Sequence, residues 1–290
     1  IFIEWTKDIL EKKTGKKISI DGKAIKSATD KINNGNIPYI VSAFIGEIGL
    51  SIGEVKVDDK SNEITAIPEL LDLLDIEGAT ITIDAIGTQE DIVNKIVNKG
   101  GHYVLPVKDN QRILKKEIKS QFDSYNNLLG NPEVFHKSTV DKDHGRIEER
   151  EYYLTYNTSK ITDKEKWNTV NAVAYMRVTR TERDETTITD NYYIIDNKIE
   201  IDKLIDAIRD HWNIECGLHW RLDVILDEDH STNKVGNSIE NLSIIRKIIF
   251  NLASLDNRFG KVPLQRKLTR YMLDFENIEK LIFEVIPSIS

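Results

Sequence analysis

The fold is decided between residues 79 and 107, which read ATITIDAIGTQEDIVNKIVNKGGHYVLPV. The β-branched run at 79–83 predicts a short strand, and the apolar spacing within 88–99 predicts one face of an amphipathic helix. The pair Gly100-Gly101 ends that helix. Residues 102–107 are apolar again and predict a second strand. Alternation of strand and helix in this short stretch favours a sheet that is covered by helices.

Outward from this stretch, the hydrophobic pattern predicts three strands and a helix before it and one more helix after it. These predicted elements occupy 18–20, 37–45, 49–57, 64–75 and 111–128. Residues 131–195 are rich in Thr, Tyr, Val and Arg, and they predict a β-rich insertion with strands at 147–156, 170–181 and 190–195. Helical periodicity returns at 200–258 and at 264–285. We therefore expect an α/β fold with a mixed sheet flanked by helices.

Size and composition are typical of a globular protein. The 290 residues suggest one large domain or a core with an insertion. Cys216 is the single cysteine, which excludes an internal disulfide and fits a reducing cytoplasm. The sequence has no run of 18 apolar residues and begins without a signal peptide. It also begins without methionine, which indicates a fragment or a processed chain.

The net charge of −8 argues against a protein that simply coats nucleic acid, because such proteins are usually basic. It does not exclude an enzyme that acts on DNA. Metal-binding carboxylates add negative charge at an active site, and phosphate contacts need only a local basic stripe.

Two aspartates follow short apolar runs in the sequence. Asp21 comes after Ile20, and Asp84 comes after Ile83. Ligands gather at strand ends in sheets that carry helices on both faces, so neighbouring strands would bring the two carboxylates to a shared metal. For Asp21, which precedes Gly22, turn chemistry is the ordinary alternative.

Candidate catalytic and metal-binding side chains are most concentrated in segment 208–229. On an α-helix, His211, Glu215 and His219 would line one face. Trp212 and Trp220 are expected to be buried, and a buried glutamate between them needs a partner, for which a metal is one choice. A structural row of His–Glu hydrogen bonds is an equal alternative. A metal-dependent hydrolase with His and Glu ligands is a weaker one, because the order differs from that of zinc peptidases.

Candidate phosphate contacts lie in two further clusters. His144, Arg146 and Arg150 surround a glycine at the start of the β-rich insertion, where an ordinary polar turn is the alternative. The candidates after the strand 102–107 are Lys108, Asn110 and Gln111, which could equally cap the next helix. Neither a P-loop nor a dinucleotide-binding glycine motif is present, so no nucleotide cofactor is expected.

Several motifs together resemble the DDE transposases of bacterial insertion sequences, in particular the H-repeat-associated group. The matching stretches are Ile20–Lys23, Thr82–Ala85 with Gln89, Val104–Gln111, His144–Glu148 and Ile208–Asp229, with Asn241, Arg246 and Asn251 in a terminal helix. The resemblance implies an RNase H-like core at 1–130 and 196–290, which includes the C-terminal helices. It also implies a β-rich insertion at 131–195. The N-terminal helical segment of the family is largely missing, with Phe2–Leu10 as its remainder.

By the same resemblance, Asp21, Asp84 and Glu215 are the catalytic acids and the ligands of two Mg²⁺ or Mn²⁺ ions. Candidate DNA contacts are Lys23, Lys108, Asn110, Gln111, His144, Arg146, Arg150, Arg209, His211 and His219. The sequence departs from related transposases around the third acid, where Ile208, His211 and Leu222 replace a tyrosine, an arginine and a lysine.

The implied function is metal-dependent strand cleavage and strand transfer at insertion-sequence ends. The partners would be double-stranded DNA, at the element ends and the target, and a second copy of the chain. The location would be the bacterial cytoplasm, at the nucleoid. Alternatives are an inactive relic that still binds DNA, a metal-dependent nuclease or hydrolase outside transposition, and a pure binding module.

Overall fold

The computed structural model describes residues 2–10, 16–25, 37–57, 63–124, 128–143, 145–183, 185–231, 233 and 237–285. The chain forms two compact units. The first comprises Ile1–Asp75 and Asp210–Ser290, and the second comprises Ile76–Arg209. Among the described residues, no helix is both long and apolar enough to cross a membrane.

The first unit is built on a three-stranded antiparallel sheet. Its strands are β1 (Lys17–Ala24), β2 (Tyr39–Ile45) and β3 (Leu50–Val57), with β2 in the middle. The apolar run of β2 is buried along nearly its whole length, as a strand covered on both faces requires. Helices α1 (Phe2–Leu10) and α2 (Glu63–Leu73) pack against β3.

The C-terminal part of this unit is helical. It begins with the end of α5 (Ile201–Asn213), which continues into a π-helical segment, Ile214–His219, and then α6 (Trp220–Val224). The remaining helices are α7 (Ser238–Leu255), α8 (Leu264–Leu273) and α9 (Phe275–Lys280), with a second π-helical segment at Leu281–Val285. These helices and Phe44 of β2 share one apolar core, which includes Leu218, Leu222 and Phe250.

The second unit contains a six-stranded mixed sheet in the order β4-β5-β9-β8-β7-β6. The strands are β4 (Thr80–Ile83), β5 (His102–Val107), β6 (Phe135–Asp143), β7 (Arg146–Thr155), β8 (Ala172–Glu182) and β9 (Glu185–Ile195). Only β4 and β5 are parallel, and α3 (Glu90–Asn98) connects them. Helix α4 (Arg112–Asp123) follows β5 and buries its apolar face.

The predicted α/β class and the early element order are confirmed. Strand β5 has the bounds that the sequence predicts, and the strands of segment 131–195 extend the sheet of the second unit from β5 outward. Two details of the prediction were wrong. Strand β6 was missed, because its residues are polar and mostly exposed, and β9 begins earlier than expected. The proposed bounds of the insertion remain a prediction.

Candidate active site

The first predicted acid, Asp21, lies inside β1 and not at its end. The strand continues to Ala24, and Asp21 pairs with Ser42 of β2. The expectation of a strand end was therefore wrong, and so was the alternative of a turn. Alternating side chains along β1 place every second residue on the same face.

That face of β1 runs along the helical segment that carries the third predicted acid. Three successive residues of the face contact the segment in order: Ser19 Oγ donates to Asp210 O at 3.4 Å, Asp21 Oδ2 lies 3.5 Å from His219 Nδ1, and the Lys23 ammonium pairs with Asp223. Glu215 lies between Asp210 and His219 in the chain. The strand with the first acid and the helix with the third are thus packed side by side.

Glu215 is exposed within the π-helical segment. The Trp220 N–H donates to Glu215 O, a bond from one residue to the fifth before it that marks π geometry. Gly217 allows this segment to approach β2, because a Cβ there would lie 3.3 Å from Phe44 Cε1. Since the α-helical spacing is broken, His211, Glu215 and His219 do not continue one α-helical row.

Two expectations about this segment were wrong. Trp212 and Trp220 are 63 % and 54 % exposed, although burial was expected, and Glu215 is exposed with them. Leu222, at a position where the resemblance implies a lysine, is 1 % exposed and packs in the apolar core. The side chain at this position points into the protein, so an apolar residue suits it.

The imidazole of His219, which lies next to Asp21, is uncharged. Burial lowers the pKa of His219 to about 3, and the positive charges of Lys247 and Lys23 act in the same direction. Its Nε2 atom is buried and has no hydrogen-bond partner among the described residues. Because its imidazole is uncharged and largely enclosed, His219 is better suited to contact Asp21 than to bind a phosphate.

Lys23 is held by acidic side chains of α6 and the turn after it. Its ammonium pairs with Asp223, lies 2.6 Å from Glu228 Oε2 and lies 3.7 Å from Asp229 Oδ1. Burial alone would lower the pKa of Lys23, but the charge of Glu228 and the hydrogen bond to Asp223 outweigh it and raise the pKa. Lys23, which the sequence predicts as a DNA contact, is therefore engaged in a mostly buried ion pair.

Asp84, the second predicted acid, belongs to the other unit. It follows β4 and caps the short 3₁₀ turn Ala85–Gly87, where its Oδ1 accepts from Ala85 N at 2.6 Å. Lys108 Nζ lies 3.2 Å from the same oxygen, and both side chains are more than half exposed. Capping explains why an aspartate suits this turn, and exposure leaves its carboxylate accessible.

The residues after β5 pack onto the turn that holds Asp84. Asn110 Nδ2 donates to Ala85 O at 2.7 Å, and Gln111 Nε2 donates to Thr88 O at 2.9 Å. The carboxyl ends of the parallel strands β4 and β5 meet at one edge, which is why these two turns touch. Asn110 and Gln111 thus fix the backbone next to Asp84.

Arginines of strands β7 and β8 gather around a buried carboxylate. Glu148 of β7 is 4 % exposed and pairs with Arg150 and with Arg180 of β8. Arg150 also pairs with Asp141 of β6, and this hydrogen bond lowers the pKa of Asp141. Arg150 is therefore a structural cation in this unit.

The remaining predicted DNA contacts differ in their exposure. The side chain of Arg146 is 46 % exposed and lies 3.7 Å from Glu148. Arg209 is equally exposed and donates to Asp141 at 3.2 Å. His211 is partly exposed near the end of α5, and His144 lies outside the described residues.

Within the described part of the chain, no three His, Cys, Asp or Glu side chains are gathered closely enough to hold a metal ion. Asp21 and Glu215 belong to one unit and Asp84 to the other. The convergence of the three acids therefore remains a prediction.

Residues 15–252 match the family model described as the transposase DDE domain. The chain belongs to this family. A DDE transposase is an enzyme of the polynucleotidyl transferase type, it acts on DNA, and the family in general uses divalent metal ions.

This DDE transposase is similar to two Escherichia coli proteins over most of its length. It is 37 % identical over 278 residues to the "H repeat-associated putative transposase YhhI" of Escherichia coli strain K12, covering 94 % of this chain and 73 % of that protein. It is 38 % identical, with the same coverage, to the "Putative protein YbfL" of that strain. A solved piggyBac transposase synaptic complex with hairpin DNA overlaps 93 % of this chain and 55 % of its own, with a TM-score of 0.49 and 10 % identity.

The acidic partners of Lys23 and the buried pair of Glu54 and Lys247 were not predicted from the sequence. Asp223, Glu228 and Asp229 lie in segment 208–229, but no role was predicted for these three residues. A lysine that follows a predicted catalytic aspartate by two residues would share its strand face, and that spacing could have raised the need for buried partners.

Proposed function

We propose that this DDE transposase cleaves and joins DNA at the ends of an insertion sequence, with Asp21, Asp84 and Glu215 as its catalytic acids. One observation carries the proposal most: the face of β1 with Asp21 lies against the helical segment with Glu215, where Asp21 Oδ2 is 3.5 Å from His219 Nδ1. Asp21 and Glu215 are thus far apart in the sequence but belong to elements that are in direct contact.

The donor set fits two Mg²⁺ or Mn²⁺ ions. All three residues offer hard carboxylate oxygens, which these ions prefer over nitrogen or sulfur. The side chain of Asp21 is 22 % exposed, that of Asp84 is 53 % exposed, and Glu215 is exposed. When bound, the ions would activate the attacking hydroxyl and stabilise the leaving oxygen.

The residues of the chain would position the DNA and the acids. Lys108 holds the carboxylate of Asp84 in place while keeping most of its own surface exposed to a phosphate. Asn110 and Gln111 fix the turn behind Asp84. Among the arginines proposed to contact DNA, Arg146 and Arg209 keep side chains that are 46 % exposed and could reach the DNA backbone. Arg150 is 21 % exposed and is paired with Glu148 and Asp141.

Two copies of the chain would act together, because joining two element ends requires two sites at one place. The partners would be double-stranded DNA at the element ends and the target. A different metal hydrolase built on His211, Glu215 and His219 is less well supported, because the π-helical segment interrupts the row and the side chain of His219 is 12 % exposed. No observation favours that function.

The test is metal-dependent nicking of a DNA fragment that carries the sequences flanking this gene. The wild-type protein should nick the fragment with Mg²⁺ or Mn²⁺ and not with EDTA. The variants Asp21→Asn, Asp84→Asn and Glu215→Gln should each lose nicking by at least about 100-fold while they stay folded by circular dichroism. The matched control Glu149→Gln removes an exposed carboxylate of β7 and should nick normally.

Cleavage that persists in any of the three variants would contradict its assignment as a catalytic acid. A wild-type protein that binds the fragment but does not nick it under any divalent ion would mark the chain as an inactive relic. Binding measured in the same samples by fluorescence anisotropy separates these outcomes from simple loss of the DNA interaction.

A further inference from the structure

The contact between His219 and Asp21 joins a largely buried side chain to a proposed metal ligand. His219 Nδ1 lies 3.5 Å from Asp21 Oδ2, and the side chain of His219 is 12 % exposed. An ionised carboxylate only accepts hydrogen bonds, so Nδ1 is the nitrogen that carries a proton toward Asp21. The strand cleavage described above gives this imidazole no role of its own.

The imidazole is held from the inside of the protein. Its other nitrogen, Nε2, is buried and has no hydrogen-bond partner among the described residues. The preceding residue, Leu218, is fully buried in the apolar core. His219 therefore presents one edge of its ring to Asp21 and does not extend outward as a phosphate contact would.

The strand that carries Asp21 is fixed on both sides of this contact. Ser19 Oγ donates to Asp210 O at 3.4 Å, and the Lys23 ammonium pairs with Asp223. Residues of one strand face thus contact the helical segment before, at and after His219. Because these contacts hold the backbone of β1, the adjustable quantity at Asp21 is the rotation of its carboxylate.

Rotation of an aspartate carboxylate is weakly restricted by the side chain itself, because its terminal torsion joins an sp³ carbon to an sp² carbon. A hydrogen bond to one oxygen removes this freedom and sets the direction of the lone pairs. Carboxylates that bind metal ions are commonly oriented in this way by a second side chain. Loss of such a side chain typically lowers metal affinity or activity by about 10- to 100-fold.

We propose that His219 is a positioning residue, which holds the carboxylate of Asp21 in the orientation that binds a divalent ion. This inference rests on the proposed function, since it takes Asp21 as a metal ligand. In this role His219 acts through Asp21 and touches neither the DNA nor the reacting atoms. Its removal should therefore change the use of metal ions and leave the affinity for DNA without metal unaffected.

Two substitutions of His219 separate positioning from packing. Leucine fills much of the space of an imidazole but has no donor, whereas asparagine is smaller and places an N–H near the position of Nδ1. In this largely enclosed site His219→Leu should be more stable to urea than His219→Asn, while the opposite order is expected for metal use. His219→Met, which also lacks a donor, replaces His219→Leu if that variant does not fold. The matched control is His230→Leu, at a histidine that is 81 % exposed.

Two measurements report metal use. The first is the Ca²⁺ concentration that gives half of the gain in affinity for a labelled duplex of the flanking sequences, followed by fluorescence anisotropy, which does not depend on cleavage. The second is the Mn²⁺ concentration that gives half of the maximal nicking rate at saturating DNA. For His219→Leu both concentrations should rise by about 10- to 100-fold, and excess Mn²⁺ should restore much of the nicking rate. His219→Asn and His230→Leu should stay near the wild-type values, and the DNA affinity in EDTA should be unchanged in all three variants.

Three results would overturn the positioning role. Unchanged requirements for Ca²⁺ and Mn²⁺ in His219→Leu would exclude it, and a loss that follows the stability order, with His219→Asn worse than His219→Leu, would indicate packing alone. Weaker DNA binding by His219→Leu in EDTA would assign His219 to the DNA interface.

Asp21→Asn distinguishes failure of this inference from failure of the proposed function. If Asp21→Asn leaves both metal requirements unchanged, the assignment of Asp21 as a metal ligand fails and the positioning role fails with it. If Asp21→Asn raises them while His219→Leu behaves as the wild type, the proposed function stands and only the role of His219 is wrong.

Discussion

At the scale of single residues, Lys23 lies near the proposed catalytic acid Asp21 but has a structural role, because its ammonium belongs to a buried ion pair. Its side chain is 10 % exposed and that of Glu228 is 3 % exposed, so the pair sits in a largely water-free environment. A buried pair adds little net stability compared with an apolar pair, but removal of one partner leaves the other charge without compensation. The cation therefore secures α6 to β1.

Substitution of Lys23 by methionine should lower the free energy of unfolding by about 3–5 kcal/mol, because Glu228 and Asp223 would lose their shared cation. Urea denaturation at neutral pH measures the change. The double variant Lys23→Met/Glu228→Gln should recover much of the loss, and Lys7→Met, at an exposed position of α1, should change little. A single variant as stable as the wild type would show that the pair is dispensable.

At the scale of elements, Asp256 joins the C-terminal helices. It ends α7 with a fully buried carboxylate that accepts from Arg258 Nη2 at 2.7 Å and from Tyr271 Oη of α8 at 2.7 Å. Lys267 of α8 also donates to Asp256 O at 2.6 Å. Burial opposes ionisation of Asp256, but the hydrogen bonds from Arg258 and Tyr271 outweigh it and lower its pKa.

Because the pKa of Asp256 is lower in the folded protein, its contribution to stability is complete above the unfolded value of about 4 and is lost as the pH falls through the folded value. Asp256→Asn should therefore cost about 2–3 kcal/mol at pH 7 and progressively less below about pH 4. Denaturant titrations across this pH range measure the difference. The exposed Glu279→Gln of α9 serves as the control, and a difference that grows on acidification would contradict the assignment.

The elements also show what the sequence could and could not predict. Strand β5 follows from an apolar run, because burial on both faces leaves a continuous hydrophobic pattern. Strand β1 runs beyond that pattern, since Asp21 and Lys23 face polar partners whose positions depend on the distant segment 210–229. The π-helical segment leaves no periodic mark of its own, so the exposure of Trp212 and Trp220 could not be foreseen.

At the scale of the whole molecule, the proposed acids divide between the two units while the net charge is −8. An acidic protein that binds DNA must compensate the repulsion between its carboxylates and the phosphates. Divalent ions at the acids would supply part of this compensation. The affinity for DNA should therefore depend on divalent ions as well as on the basic residues.

The triple variant Asp21→Asn/Asp84→Asn/Glu215→Gln provides the sharpest test of this charge balance. In EDTA it should bind duplex DNA more tightly than the wild type, because three negative charges beside the phosphates are removed. Addition of Ca²⁺ should strengthen binding by the wild type and leave the triple variant nearly unchanged, since it has lost the proposed ligands. Anisotropy titrations at fixed ionic strength measure both effects.

A control variant, Glu149→Gln/Asp206→Asn/Glu279→Gln, neutralises three exposed carboxylates elsewhere and changes the net charge equally. If that control gains as much affinity in EDTA and loses its response to Ca²⁺, the effect belongs to overall charge, and the three acids would not form the metal site.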